Sequence, residues 1–540
     1  MTSVRAVGPA ATSLAERTAS RPEPGPPESP PAEGAAPPAL LTLDRCLVAA
    51  SVLVALVTGA VNRGGFPVYT EDEGVYTMQA WSVLHGRLSP YPYWYDHPFL
   101  GSVLIAPFLA LGRLLAPQAG AVADARLATL VALAVDAGLM CVIARRVGMG
   151  RCAGVLAVAL FLLSPLSQHE LRRVFLDNVS LPWILAAVAL ALSARSRDAR
   201  PALAGGCLGV AVLCKETSLL LAPVVVVALL TQLHRGERRR ALWTATWSVL
   251  GIASLYPLYA LLRGQLLPSP GSASLAKALK WQLVDRVGSG SVFDPGSQRN
   301  HTVAQWLSRD RELIVAGVVA AVILLAVRRL RPVAVAVLVP ALWVLRPGGY
   351  LPAMFVIVAL PFLALSAAAV GELLIGLLSR AGHRVAGGDA IRTRATAGWL
   401  SVTLLAATLP AQQRLHASDV LVAQGNRSPA EAVAWIRQNL SPAQRLLVDD
   451  VMWIELATVG WSDPWNQAVW FYKVDTSPDA RVHLQHGWRD IDYVVSTRIL
   501  RQGTGNLPYL VTARKALEHS VLVATFGHGL DRIELRRVMR

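Results

Sequence analysis

The chain has 540 residues, 54% of them hydrophobic and only 16% charged, where an ordinary soluble protein carries roughly 25% charged residues. That deficit is met by long uncharged runs of Leu, Ala and Val, which excludes a soluble globular protein and makes lipid the solvent for most of the chain. The net charge of +16, from 51 Lys+Arg against 35 Asp+Glu, would suggest nucleic acid in a soluble protein, but here the basic residues lie between apolar runs, where the positive-inside rule accounts for them.

Residues 1–40, which include RPEPGPPESPPAEGAAPP, cannot bury a core and are expected to form a disordered cytoplasmic tail. Apolar runs follow at 46–62, 99–116, 126–144, 152–168, 179–194, 201–214, 217–233, 241–262, 313–327, 332–345, 350–378 and 395–411. The first starts too far into the chain for a signal peptide and lacks an A-x-A-like site, so it reads as an uncleaved anchor. Several runs are shorter than the roughly 20 residues of a full span, so their ends extend into flanking sequence. The five cysteines (Cys46, Cys141, Cys152, Cys207 and Cys214) all lie in or beside these runs and read as small buried apolar side chains.

The linkers sort by charge. Arg145, Arg146 and Arg151; Arg195, Arg197 and Arg200; Arg235, Arg238, Arg239 and Arg240; Arg328, Arg329 and Arg331; and Arg380, Arg384, Arg392 and Arg394 form basic clusters, expected on the cytoplasmic side. Their alternation works only if one run does not cross, and 99–116 is the best candidate for an interfacial or re-entrant segment. About eleven spans then remain, with the N-terminus inside and the C-terminus outside. The predicted domains are the tail at 1–40, a transmembrane domain at 41–411 and an extracytoplasmic soluble α/β domain at 412–540. In the last, SPAEAVAWIRQNL reads as an amphipathic helix with Ser428 as N-cap and Glu431 at the capping-box position. RLLVDD, DYVVST and SVLVATF read as short buried strands. The aromatic-rich DDVMWIELATVGWSDPWNQAVWFYKVD reads as core ahead of a sugar-binding surface.

The outside linkers hold most of the chemistry-bearing residues. The first carries Glu71, Asp72 and Glu73 directly after the first span, then Asp96-His97-Pro98. Adjacent carboxylates at a membrane surface are costly unless they meet a cation, a metal or a substrate hydroxyl. A carboxylate is also the group that deprotonates an acceptor hydroxyl beside a donor sugar. Glu71 reads as merely solvated, so Glu71→Gln is expected to matter little. Asp136, inside ATLVALAVDAGLMCVIA, reads as a structural hydrogen bond to a neighbouring span.

Together these residues resemble the GT-C superfamily of lipid-linked-sugar glycosyltransferases, most of all glycosyltransferase family 39, the protein O-mannosyltransferases and aminoarabinose transferases. Asp72-Glu73 in EDEGVYTMQAW is similar to the family's Asp-Glu pair on an interfacial helix. DHPFLG resembles its Lys-Pro-Pro-Leu-like motif, with His97 in place of Lys and Phe99 in place of the second Pro. Arg173 and Asp177 in LRRVFLDNVSLPW match an Arg-x-x-x-x-Asp stretch, and CKETSLLLAP, with Lys215 and Glu216, matches a Thr-Lys-Gly-like turn. The resemblance covers roughly the first 260 residues; later, RPGGYLPAMFVIVALPFLAL is similar to an Arg-Tyr-x-x-Pro segment.

The resemblance implies an all-α polytopic membrane fold of GT-C type and inverting transfer of a sugar from a polyprenyl-phosphate donor. The acceptor would be an extracytoplasmic glycan, lipid or protein, at a bacterial plasma membrane. It makes Asp72 the general base, with Glu73 and Asp177 in the catalytic set. Lys215, Arg173, Arg346 and His97 are the expected contacts to the donor phosphate, since a leaving phosphate needs cations. Asp96 and His97 are candidate ligands for a divalent metal ion. The competing readings are a transporter or flippase of lipid-linked sugars, which would show repeat symmetry and midplane sites, and a non-catalytic membrane scaffold.

Overall fold

The computed structural model describes residues 38–195, 198–269, 272–386 and 419–540. Most of the expected tail, the apolar run at 395–411, Arg392, Arg394 and the 411/412 boundary lie outside these residues. Arg45–Arg540 forms one compact unit.

The membrane part is helical. Its elements are α1 (Pro38–Ala60), α2 (Glu71–Leu84), α3 (Leu100–Leu115), α4 (Ala121–Arg146), α5 (Arg151–Leu163), α6 (Pro165–Glu170), α7 (Leu176–Ala191), α8 (Arg200–Cys214), α9 (Ala222–Gln232), α10 (Arg235–Ala253), α11 (Leu255–Leu262), α12 (Leu275–Lys280), α13 (Gln298–Leu324), α14 (Arg331–Leu345) and α15 (Leu360–Ala386). Among the described residues four helical stretches are long and apolar enough to cross a membrane: Leu43–Ala60, Ala121–Arg146, Arg235–Leu262 and Ala353–Leu377. Shorter apolar helices include Leu100–Leu115, Leu176–Ala191 and Arg200–Cys214. The protein is a membrane protein; the count of about eleven spans exceeds what helix length alone supports.

Helices pack where small residues let backbones approach, since lipid supplies no hydrophobic drive between them. The α8–α10 pair shows this at Gly205, where a Cβ would lie 2.1 Å from the Ala245 carbonyl oxygen. The α13 helix contains a break at Asp310 (φ −154, ψ 75), whose carboxylate caps the following turn by accepting from Leu313 N at 2.9 Å. The apolar half therefore begins at Leu313, where the hydrophobic run starts in the sequence. Arg380 and Arg384 lie within α15, not in a linker.

The C-terminal part carries α16 (Arg427–Asn439), α17 (Asp450–Ala457) and a five-stranded sheet of β1 (Leu446–Val448), β2 (Ala468–Trp470), β3 (Tyr493–Ser496), β4 (Ser520–Phe526) and β5 (Ile533–Val538). Its order is β2-β1-β3-β5-β4, with β1 parallel to β2 and β3, and β5 antiparallel to β3 and β4. The three expected strands are present, and β2 and β5 join them. β4 is not a buried strand: it is the sheet edge, with Val521, Leu522 and Val523 exposed. The α16 helix starts two residues earlier than expected, after Asn426. Glu431 pairs with Arg427 at 2.6 Å instead of closing a capping box with Ser428. Trp453, Trp461, Trp465 and Trp470 are all buried, as core.

This part is bound to the first loop. The Asn426 side chain accepts from Tyr69 N and donates to the carbonyls of Gly64 and Pro67. Glu455 accepts from Ala121 N and Val122 N at 2.9 and 3.0 Å, supplying the free N–H groups at the start of α4 with a partner. α17 lies on α2 so closely that a Cβ at Gly74 would fall 2.4 Å from the Asp450 carbonyl.

Candidate functional site

Thr70 and Glu73 set the start of α2: Thr70 N donates to the Glu73 carboxylate at 3.2 Å, closing a capping box. Asp72 therefore sits in the first helical turn, half-buried. Burial pushes its carboxyl up; the charges of Lys215, His97 and Arg286 act against that, in that order.

Lys215 is placed by a break in the helix path. α8 ends at Cys214, Lys215 takes an extended conformation (φ −151, ψ 117), and a 3-10 turn Glu216–Leu221 follows. Its ammonium is almost wholly buried and lies 2.9 Å from His97 Nε2. The opposite ring nitrogen, Nδ1, is 3.1 Å from both Glu216 oxygens. Lysine can only donate, so Nε2 accepts and Nδ1–H donates to Glu216. His97 thereby links Glu216 to Lys215. Asp177, in the first turn of α7, lies in the field of Lys215 and His97, and its buried Oδ2 has no hydrogen-bond partner.

Asp72, His97, Asp177 and Lys215 thus come together from four separate segments. The remaining expected residues do not join them in the same way. Glu73 is fully buried and committed: it accepts from Arg126 Nε at 2.8 Å and Nη2 at 3.0 Å, from Val174 N and from Thr70 N. Four hydrogen bonds leave it no lone pair for a substrate proton, so it is a structural anchor. Arg173 belongs to a neighbouring cluster, 3.7 Å from Glu170 and 3.2 Å from His169 Nε2. Its neighbour Arg172 donates to the Thr58 and Gly59 carbonyls at the end of α1. Arg346 is exposed and lays its guanidinium over Trp343 at 5.1 Å. Asp136 makes no structural bond through Oδ1, which is buried without a partner.

Arg286, which the sequence did not single out, is a further cation acting on Asp72. Its guanidinium lies 3.4 Å over the Tyr350 ring and donates to Gln282 at 2.9 Å. Nothing in the sequence around it distinguishes it: it sits in a long linker without a motif, and only the return of the chain at Tyr350 brings it to Asp72.

The metal reading does not fit the residues. His97 Nε2 faces an ammonium and Nδ1 a carboxylate, while Asp96 accepts from Gln79 Nε2 at 3.2 Å. Among the described residues no group of three His, Cys, Asp or Glu side chains is arranged to hold a metal ion.

No protein-family profile and no curated protein matches this sequence. Among solved structures, the chain is similar to ArnT from Cupriavidus metallidurans bound to undecaprenyl phosphate, with a TM-score of 0.53 and 16% identity over 93% of this chain and 98% of that one. It is similar to the Archaeoglobus fulgidus oligosaccharyltransferase in its apo form, with a TM-score of 0.51 and 13% identity over 91% of this chain and 76% of that one. A structure of AglB from the same organism, in complex with an inhibitory peptide and a dolichol-phosphate, matches with a TM-score of 0.50 and 13% identity over 88% and 72%. The chain has the GT-C fold. Within that fold, Asp72 lies in the first turn of α2, in the field of Lys215, His97 and Arg286. It also lines a cavity of about 330 Å³ together with residues of the C-terminal part.

Proposed function

We propose that this protein is an inverting membrane glycosyltransferase that moves a sugar from a polyprenyl-phosphate donor to an acceptor outside the cytoplasm. Asp72 is the general base. The acceptor hydroxyl gives its proton to the Asp72 carboxylate, and its oxygen attacks the anomeric carbon from the face opposite the phosphate. The bond from that carbon to the phosphate oxygen breaks, and polyprenyl phosphate leaves. Lys215 and Arg286 stabilise the charge growing on the phosphate; His97, fixed by Glu216, orients the Lys215 ammonium. Asp177 lies in the field of the same ammonium.

The observation that carries this reading is the gathering of one carboxylate with Lys215, Arg286 and His97 from distant segments, on a fold whose solved representatives were captured with undecaprenyl phosphate and a dolichol-phosphate. Asp72→Asn preserves size and most hydrogen bonding but removes the basic oxygen. It is expected to abolish transfer to a defined acceptor while undecaprenyl phosphate still binds. Full transfer activity in Asp72→Asn overturns the assignment of Asp72 as the base.

A further inference from the structure

The cavity beside Asp72 has a position and a chemistry of its own. It lies outside the carboxyl ends of β1 and β3, between the segments Asp449–Met452 and Thr497–Ile499. These strands are parallel neighbours, yet β1 runs through α17 to β2 on its far side, so the chain reverses direction across the sheet here. In open α/β sheets ligands bind in the crevice at such a reversal. The opposite wall is Tyr69–Asp72, so anything bound here reaches the proposed base.

Such crevices commonly take phosphate, because helix N-termini point N–H groups into them. Here those donors are consumed. Asp449 Oδ1 accepts from Met452 N at 2.7 Å and its Oδ2 accepts from the Thr497 hydroxyl at 2.6 Å. Thr497 Oγ1 in turn accepts from Leu500 N at 3.2 Å. A carboxylate stands where a phosphate would otherwise sit. Asp450, behind it, is buried with Oδ2 unpartnered, and Glu71 and Asp531 add acidic groups to the wall. The cavity's arginine, Arg498, lies 3.3 Å from Asp531, which offsets its charge. Loss of hydration, then the charges of Asp72 and Asp449, push Glu71 up to about 7. A carboxyl group so poised both donates and accepts, as a hydroxyl requires, and Gln502 offers an amide with the same capacity.

We infer that this cavity is the acceptor subsite and that it selects a neutral, polyhydroxylated acceptor, a carbohydrate segment without phosphate or carboxylate. Asp72 lines this cavity and also lies in the field of Lys215 and Arg286, so a bound hydroxyl and the leaving phosphate meet at the same carboxylate. An anionic acceptor finds no unpaired cation in the cavity wall, since Arg498 is paired with Asp531, and the N–H groups of Met452 and Leu500 are capped.

The inference rests on the glycosyltransferase reading and is tested apart from it. The full chain in detergent, loaded on an array of neutral oligosaccharides and their phosphorylated counterparts, should be retained by neutral members at least about tenfold better, the equivalent of one or two hydrogen bonds. Gln502→Ala, an exposed change, should weaken retention about tenfold without altering Tm, and Glu71→Lys should shift preference to phosphorylated members. Undecaprenyl phosphate binding should be unchanged in both variants. Equal retention of both classes, preference for phosphorylated members, or no retention while undecaprenyl phosphate still binds overturns the inference. Loss of undecaprenyl phosphate binding in the unsubstituted chain instead overturns the donor reading.

Discussion

At the scale of single residues, charge and commitment separate the catalytic from the structural. Lys215 is a buried donor whose partner, His97, accepts only one of its protons, so the others remain for a phosphate. Lys215→Ala is expected to lower turnover about a hundredfold, roughly 3 kcal/mol of transition-state stabilisation, with the protein still inserted. It also carries a pH signature. Asp72 acts as a base only when ionised, so the rate falls as pH drops through its pKa. Burial has raised that pKa above the ordinary 3.8, and Lys215 is first among the charges opposing the rise. Removing Lys215 raises it further, so the acid limb of the rate profile should move to higher pH; an unmoved limb would assign Lys215 to simple burial of its stem. Glu73 behaves differently. Its pair with Arg126 is wholly buried on both sides, and breaking such a pair costs about 3–5 kcal/mol because a charge is left stranded. Glu73→Gln should therefore lower Tm sharply in a detergent melt, whereas Asp72→Asn should not. Equal Tm in the two variants would return Glu73 to the list of groups free to act.

At the scale of elements, the site depends on how α2 is held. The helix carries Asp72 in its first turn and is clamped by Arg126 of α4 below and by α17 across Gly74. Gly74→Ala introduces a methyl group where backbone atoms stand at 2.4 Å. Backbone cannot yield as a side-chain tip can, so α17 must move. The expected result is a lower Tm together with loss of transfer, since the cavity wall and the base shift together; retention of both at unsubstituted levels would show that α17 tolerates displacement. The C-terminal sheet thus takes part in building the site, and is not an appendage to a finished membrane domain. Lys473 makes the same point from the other side, with its ammonium 4.2 Å over Trp94 of the first loop.

At the scale of the whole molecule, the proposal requires Asp72, the acceptor cavity and the C-terminal sheet to face away from the cytoplasm. The Arg235–Arg240 cluster should then lie on the opposite side of the membrane. Cysteines introduced at Gly236 and Ser477 should be labelled by an impermeant reagent from opposite faces of sealed vesicles, and labelling of both from one face would invalidate the orientation. Lys215 follows the C-terminal end of α8, whereas Arg235–Arg240 open α10 and Arg328–Leu330 form the turn before α14.

Membrane residence, the helical body and the strands β1, β3 and β4 were legible in the sequence alone, from hydrophobic run length and short apolar stretches. Asp72, His97, Asp177 and Lys215 were singled out through the family resemblance, and the fold brings them into one another's fields. What only the tertiary structure decided depends on long-range partners. Glu73 looked like Asp72 until Arg126, fifty-three positions away, claimed its lone pairs. Arg173 and Arg172 differ only in which neighbour each meets. Arg286 has no motif and lies against Tyr350, and Glu71, exposed as expected, lines a cavity shared with residues beyond position 420. A motif records which chemistry a residue can perform; which partner has already consumed that chemistry is settled by packing between segments that the sequence keeps far apart.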